Sequence, residues 1–96
     1  MALFDFDPAK DEKTRRERGF GFLYAARIFA GHTIERADRR FEYGEERLVA
    51  LGRVGADTLA VVYTWRSDAD AGPFRWIISA RMASRKERRL YAAFFP

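Results

Sequence analysis

Apolar and polar positions change period several times along this chain of 96 residues. Phe4 and Phe6 fall on one side of the opening segment, with Leu3 and Asp5 on the other, which is the alternation of a short half-buried strand. Asp7-Pro8 then breaks the pattern. Asp7 can cap a following helix through its side-chain oxygen, and Pro8 suits the first helical position, where its missing N–H costs nothing. That helix is expected to run to about Arg18 and to stop at Gly19, since glycine accepts a left-handed conformation at a helix end. Its residues are nearly all polar, so it packs through aliphatic stems or awaits a partner. Phe22, Ala25, Ala26 and Phe29 recur at i, i+3, i+4 and i+7, predicting a second helix that stops at Gly31.

From Thr33 to Gly44 the sequence is charged and irregular, which fits one edge strand followed by a loop. Three clearer strands are expected at Arg47 to Gly52, Leu59 to Arg66 and Phe74 to Arg81, rich in β-branched or aromatic residues and separated by turns that contain Gly or Asp. Ser84-Arg85-Lys86-Glu87 is a capping box, in which serine and glutamate each satisfy an orphan backbone donor, so a last helix starts at Arg85. Leu90, Tyr91 and Phe94 supply its apolar side before Pro96. The expected architecture is one α+β domain over residues 1–96. It has a small antiparallel sheet, a meander of three to five strands, with two N-terminal helices and one C-terminal helix.

Composition narrows the chemistry. Hydrophobic residues make up 48% and aromatic residues 16% of the chain, enough apolar surface for a core despite the charge. With no cysteine, a disulfide framework, a thiol nucleophile and Cys-based metal sites are excluded. No run approaches the roughly 20 apolar residues of a membrane span, and the N-terminus has no basic region leading into an apolar stretch. A cytoplasmic location with no membrane contact is therefore expected. P-loop, G-x-S-x-G and H-E-x-x-H signatures are missing, and His32 is the only histidine, so no His pair can do acid–base work within one chain. The formal charge is +4 and the pI about 9.8. Lys10, Lys13 and Lys86 are the only lysines among eighteen cations, and the arginine bias favours bidentate contacts with phosphate.

Strand geometry sorts these arginines into two groups. In an antiparallel meander the start of one strand lies beside the end of the next, so Arg47, Arg66 and Arg75 gather at one end of the sheet and Arg53 and Arg81 at the other. Arg66 and Arg81 are expected to lie roughly 20 Å apart. The last helix starts near the second group and brings Arg85, Arg88 and Tyr91 towards it. Arginines near a scissile phosphate can neutralise the charge that grows as a 2′-hydroxyl attacks, without a metal. Tyr91, Glu87, Glu46 or Glu45 could move protons. Each also has an ordinary reading as a surface ion pair, a cap or a core residue, and the arginines as a solvated or polyanion-binding face.

Several segments resemble the BrnT toxins of bacterial toxin–antitoxin pairs, a family with a RelE-like fold. They are Phe6-Asp7-Pro8-Ala9-Lys10, Gly19 with Phe22 and Ala25-Ala26, Tyr43-Gly44-Glu45-Glu46-Arg47, Gly52, Val61-Val62-Tyr63-Thr64 with Arg66, and above all the block from Trp76 to Tyr91 with Arg81, Ser84 and Glu87. The resemblance spans about Phe4 to Tyr91. It implies a ribonuclease that blocks translation, needs no cofactor and acts on RNA. It further implies a BrnA-like antitoxin that binds the toxin in a hetero-oligomer and alone contacts operator DNA. Arg47, Arg66, Arg81, Ser84 and Tyr91 fall on motif positions. Arg81, Arg66, Arg47 and Tyr91 are the candidate catalytic residues, and Arg53, Ser84, Arg85 and Arg88 the candidate RNA-binding ones. Where the family has Lys-His-Gly after the first helix, Asn within it and Trp before the Asp, this chain has Glu17-Arg18-Gly19, Thr14 and Phe6, which offers Arg18 as a substitute for the histidine. Phe94-Phe95 adds apolar surface for antitoxin contact. The alternative is a non-catalytic RNA-binding or protein-interaction module.

Overall fold

A computed structural model describes residues 3–96. Strand β1, Phe4–Phe6, leads into α1, Pro8–Arg18. The Asp7 carboxylate accepts the Ala9 N–H at 3.0 Å, and Gly19, at φ 81°, donates its N–H to the Arg15 carbonyl, so both ends of α1 are capped as its sequence requires. α1 has one buried side chain, Asp11. Its Oδ1 accepts the Phe22 N–H at 2.7 Å, and its other oxygen lies 3.3 Å from Arg15 Nε. This polar helix is thus tied to the start of the next through a buried carboxylate rather than an apolar face.

The second helix differs from its expected form. α2, Phe22–Ala25, is a single turn that tightens into a 3₁₀ segment over Ala26–Ala30. The buried residues follow the change: Phe22, Ala25 and Ala26 keep the α-helical spacing, and the last core residue is Ile28, three after Ala25 as a 3₁₀ turn places it, while Phe29 is only half-buried.

Edge strand β2, Ile34–Ala37, is followed by a loop and then by β3, Leu48–Val54, β4, Asp57–Asp68, and β5, Gly72–Met82. These four form the antiparallel meander. The sheet as a whole is mixed, because β1 pairs in parallel with β5 and the strand order is β1-β5-β4-β3-β2. That corrects the expectation of a purely antiparallel sheet. β1 and β2 occupy opposite edges, so the chain between them crosses one face, where α2 and the 3₁₀ segment pack. Phe22, Ile28, Leu59, Val61, Tyr63 and Ile77 form the core there.

A bulge opposite Val62 and Tyr63 leaves Ile78 unpaired and turns it towards the other face. On that face Val49, Leu51, Ala60 and Val62 pack under Tyr91 of α3, Arg85–Phe94. The phenol of Tyr91 donates to the His32 carbonyl at 2.7 Å and so pins the end of α3 near the start of β2. No helix among the described residues is long and apolar enough to cross a membrane.

Candidate active site

The junction between β5 and α3 is built by its capping box. Ser84 Oγ accepts the Glu87 N–H at 3.2 Å, and Glu87 Oε1 accepts the Ser84 N–H at 2.8 Å. Glu87 has a second task. Its carboxylate grips Arg81, the last residue of β5 on the α3 face, with Nη1 to Oε1 at 2.6 Å and Nη2 to Oε2 at 3.0 Å. One glutamate therefore starts the helix and fixes the guanidinium. Arg81 Nη1 also reaches the Met82 carbonyl at 3.4 Å. The Nε–H and the outer N–H of Nη2 lie on one edge of the guanidinium and have no protein acceptor among the described residues. That edge matches two phosphate oxygens.

The fork opens into a cavity of about 580 Å³ lined by Arg36, Leu51, Arg81, Ser84, Lys86, Glu87 and Leu90. Arg36 and Lys86 add positive charge beside the Arg81–Glu87 pair, and Arg40 lies near enough for its charge to oppose that of Arg81. The hydrogen bonds from Arg81 hold the Glu87 carboxyl at about 2 against the opposing effect of burial, and Glu87 in turn raises the Arg81 pKa. A carboxylate this weakly basic is a poor proton acceptor near neutrality, so the task the geometry gives Glu87 is to orient Arg81.

The sign of that shift makes a prediction. A folded-state pKa below the ordinary 4.5 means that the ion pair stabilises the fold fully above that pH and loses its contribution as the pH falls towards 2. Arg81 is 41% exposed, so the pair is worth about 1 kcal/mol after screening. Glu87→Gln should lower the urea midpoint at pH 7 accordingly, and its gap from wild type should close between pH 4.5 and 2.

The other sequence-derived residues divide as the register requires. Arg81 lies opposite Ala60, and Arg66 lies opposite Phe74 at the far end of the β4–β5 pair. Arg53 is at the Arg81 end, its guanidinium 4.8 Å from the centroid of the Tyr91 ring. Arg85 is exposed, and Arg88 donates to the Ala83 carbonyl at 2.9 Å. Tyr91 is buried, with its ring in the core and its hydroxyl engaged by His32, so it forms the floor under Arg53. Arg47 pairs with Glu45 at 3.1 Å and sits 4.0 Å from the Tyr43 ring centroid, away from Arg81.

Arg36 and Lys86 were not among the candidate site residues of the sequence, and Leu90 was expected only on the apolar side of the last helix. Arg36 was legible in principle: the Ile34/Arg36 alternation places both on the α3 face once Ile34 pairs with Leu51. A second hollow, of about 560 Å³, lies within the loop from Asp38 to Arg47, but the Asp38 carboxylate there is taken by Arg40 and Tyr43. Arg18 lines a third with Tyr24, Asp57 and Met82, on the opposite face of the sheet from the Arg81 groove.

The family described as ribonuclease toxin, BrnT, of type II toxin-antitoxin systems matches residues 6–87. This chain belongs to that family. The matched segment runs from Phe6 to Glu87 and so holds β5, Arg81 and the whole capping box, while Arg88 and Tyr91 lie beyond it. BrnT membership implies an RNA substrate and an antitoxin partner. No curated protein matches the chain.

Proposed function

We propose that this BrnT chain is a metal-independent endoribonuclease whose chemistry centres on Arg81. The observation that carries this reading is the free Nε–Nη2 edge of Arg81, set by Glu87 in a basic groove. When the 2′-hydroxyl of RNA attacks the adjacent phosphorus, its P–O bond forms as the bond to the 5′-oxygen breaks, and charge builds on the non-bridging oxygens between them. A guanidinium already turned towards those oxygens stabilises that charge without reorganising. Arg36 and Lys86 supply flanking phosphate contacts, Ser84 lines the groove with them, and Arg85, Arg88 and Arg53, outside its lining, are further RNA contacts. The 2′-proton leaves to solvent and solvent protonates the departing oxygen, since Glu87 is too weak a base for the task.

In the cell this activity acts on mRNA in the cytoplasm and inhibits translation. A BrnA-like antitoxin neutralises it in a hetero-oligomer and alone contacts the operator. Purified protein is expected to cleave mRNA in EDTA, free or on ribosomes, and its induction to arrest growth. Folded protein that leaves RNA intact in both settings overturns the reading. Salt-sensitive RNA binding without cleavage or growth arrest would replace it with a non-catalytic RNA-binding module.

A further inference from the structure

Phe74, Trp76, Ser79 and Arg81 of β5 face the same side of the sheet as α3, as their pairing with Arg66, Thr64, Val62 and Ala60 requires. α3 crosses away from β5 towards His32 and packs over β3, β4 and the bulged Ile78, so the rest of this strip of β5 stays open and Ser79 is exposed. At its far end the Arg66 guanidinium lies 4.3 Å from the centroid of the Trp76 ring. Arg47 and Arg81 are each held by a glutamate, whereas Arg66 has no carboxylate partner among the described residues. Its inner face rests on the indole and its outer face meets solvent. Arg66 leans over Trp76, which leaves roughly 15 Å of strand between this stack and Arg81. Asp5 of β1 pairs with Trp76 and so flanks the stack on the β1 side, its carboxylate turned to the Phe6 N–H, while beyond the stack stands Asp68, its carboxylate turned to the N–H groups of Asp70 and Ala71. An anion following the strip is therefore held at Arg81 and at Arg66, kept off the β1 side at the stack, and repelled past it.

We propose that this strip is a track for single-stranded RNA, with a base stacked on the outer face of Arg66 a few nucleotides from the phosphate held at Arg81. The choice of RNA rests on the function proposed above. A delocalised guanidinium plane already supported by an indole is a ready stacking platform for an unpaired base, and the free charge suits the neighbouring phosphate. A duplex offers no splayed base to such a platform. Trp76 acts here as a positioning residue, because it holds the plane that the base meets.

The test uses 2′-O-methyl oligoadenylates of increasing length, which cannot be cleaved through the 2′-oxygen, with binding read by fluorescence anisotropy. Wild-type affinity should step up about tenfold once the oligonucleotide reaches from Arg81 to Arg66, the expected gain from one stacked base. Trp76→Ala should lose that step and Trp76→Phe should keep part of it. Arg66→Lys, a surface change that spares the core, should also lose it, since an ammonium has no plane. A wild-type profile without the step, or a step that survives both Trp76→Ala and Arg66→Lys, overturns the track. Loss of antitoxin binding in Trp76→Ala with the step intact overturns it too and assigns the strip to protein docking. A protein that shows the step yet leaves unmodified RNA whole keeps the track and loses the ribonuclease reading. A protein that cleaves RNA but shows no step does the reverse.

Discussion

Arg81→Ala is expected to reduce the rate of RNA cleavage by about 10²–10³-fold, the usual cost of removing one preorganised donor to a developing anion. The fold should survive, because Arg81 is partly exposed and the capping box keeps its Ser84–Glu87 bonds. Single-turnover rates on one RNA substrate, with circular dichroism as the folding control, measure the effect. Arg81→Lys should recover little of the loss. An ammonium held by Glu87 has no second edge to offer, so the two-oxygen contact cannot form. Full activity in Arg81→Lys would show that point charge alone suffices and that the Nε–Nη2 edge is irrelevant. The same reasoning ranks Glu87→Gln between wild type and Arg81→Ala, because glutamine keeps the cap and loosens the guanidinium.

That ranking depends on a contact the sequence only half displays. Ser84-x-x-Glu87 announces a capping box from spacing alone, and the structure contains it. The grip of Glu87 on Arg81 is tertiary: it requires β5 to end where Arg81 faces the helix, a matter of sheet register. Register was legible for the arginines on the long strands. Antiparallel pairing alone separates Arg66 from Arg81, and the observed partners, Phe74 and Ala60, agree. It was not legible for β1. A three-residue strand has too few positions to select a partner from its alternation, and the choice of β5 follows from where the helical crossover delivers the chain. The second helix was legible in its extent but not in its tightening to a 3₁₀ segment, for a related reason. Phe22, Ala25 and Ala26 enter the core as their spacing requires, but Ile28 joins them where Phe29 stays half-buried, drawn there by a gap in β3 that spacing within the helix cannot reveal. The groove itself was half visible: β5 and α3 could be read from their pattern, while Arg36 lay in a segment that read as one edge strand and a loop but carried no signal of its register.

The gap is Gly52, and it carries the largest expected effect on stability. Gly52 has no unusual backbone angle that would demand glycine; what it provides is room. A Cβ at this position would lie 2.5 Å from Ile28 Cβ and within 3.1 and 3.2 Å of Cγ2 and Cγ1. Because both residues are buried, the 3₁₀ segment would have to lift from the sheet to admit a methyl group. Overpacking of this kind costs about 3 kcal/mol, only slightly offset by the lower backbone entropy of alanine. For a domain of this size, Gly52→Ala should lower Tm by roughly 10–20 °C. Ile28→Ala should cost a similar 2–5 kcal/mol by opening a cavity. The two changes should not add. Ile28→Ala removes the two γ-carbon contacts and leaves the Cβ one, which a small shift of the segment into the space vacated by Cγ1, Cγ2 and Cδ1 relieves, so the double variant should be more stable than the sum of the single losses by about 1 kcal/mol or more. Urea unfolding of the four proteins in the cycle gives that coupling directly. Strict additivity would mean that the approach of Ile28 to Gly52 does not limit how the helical layer packs against the sheet.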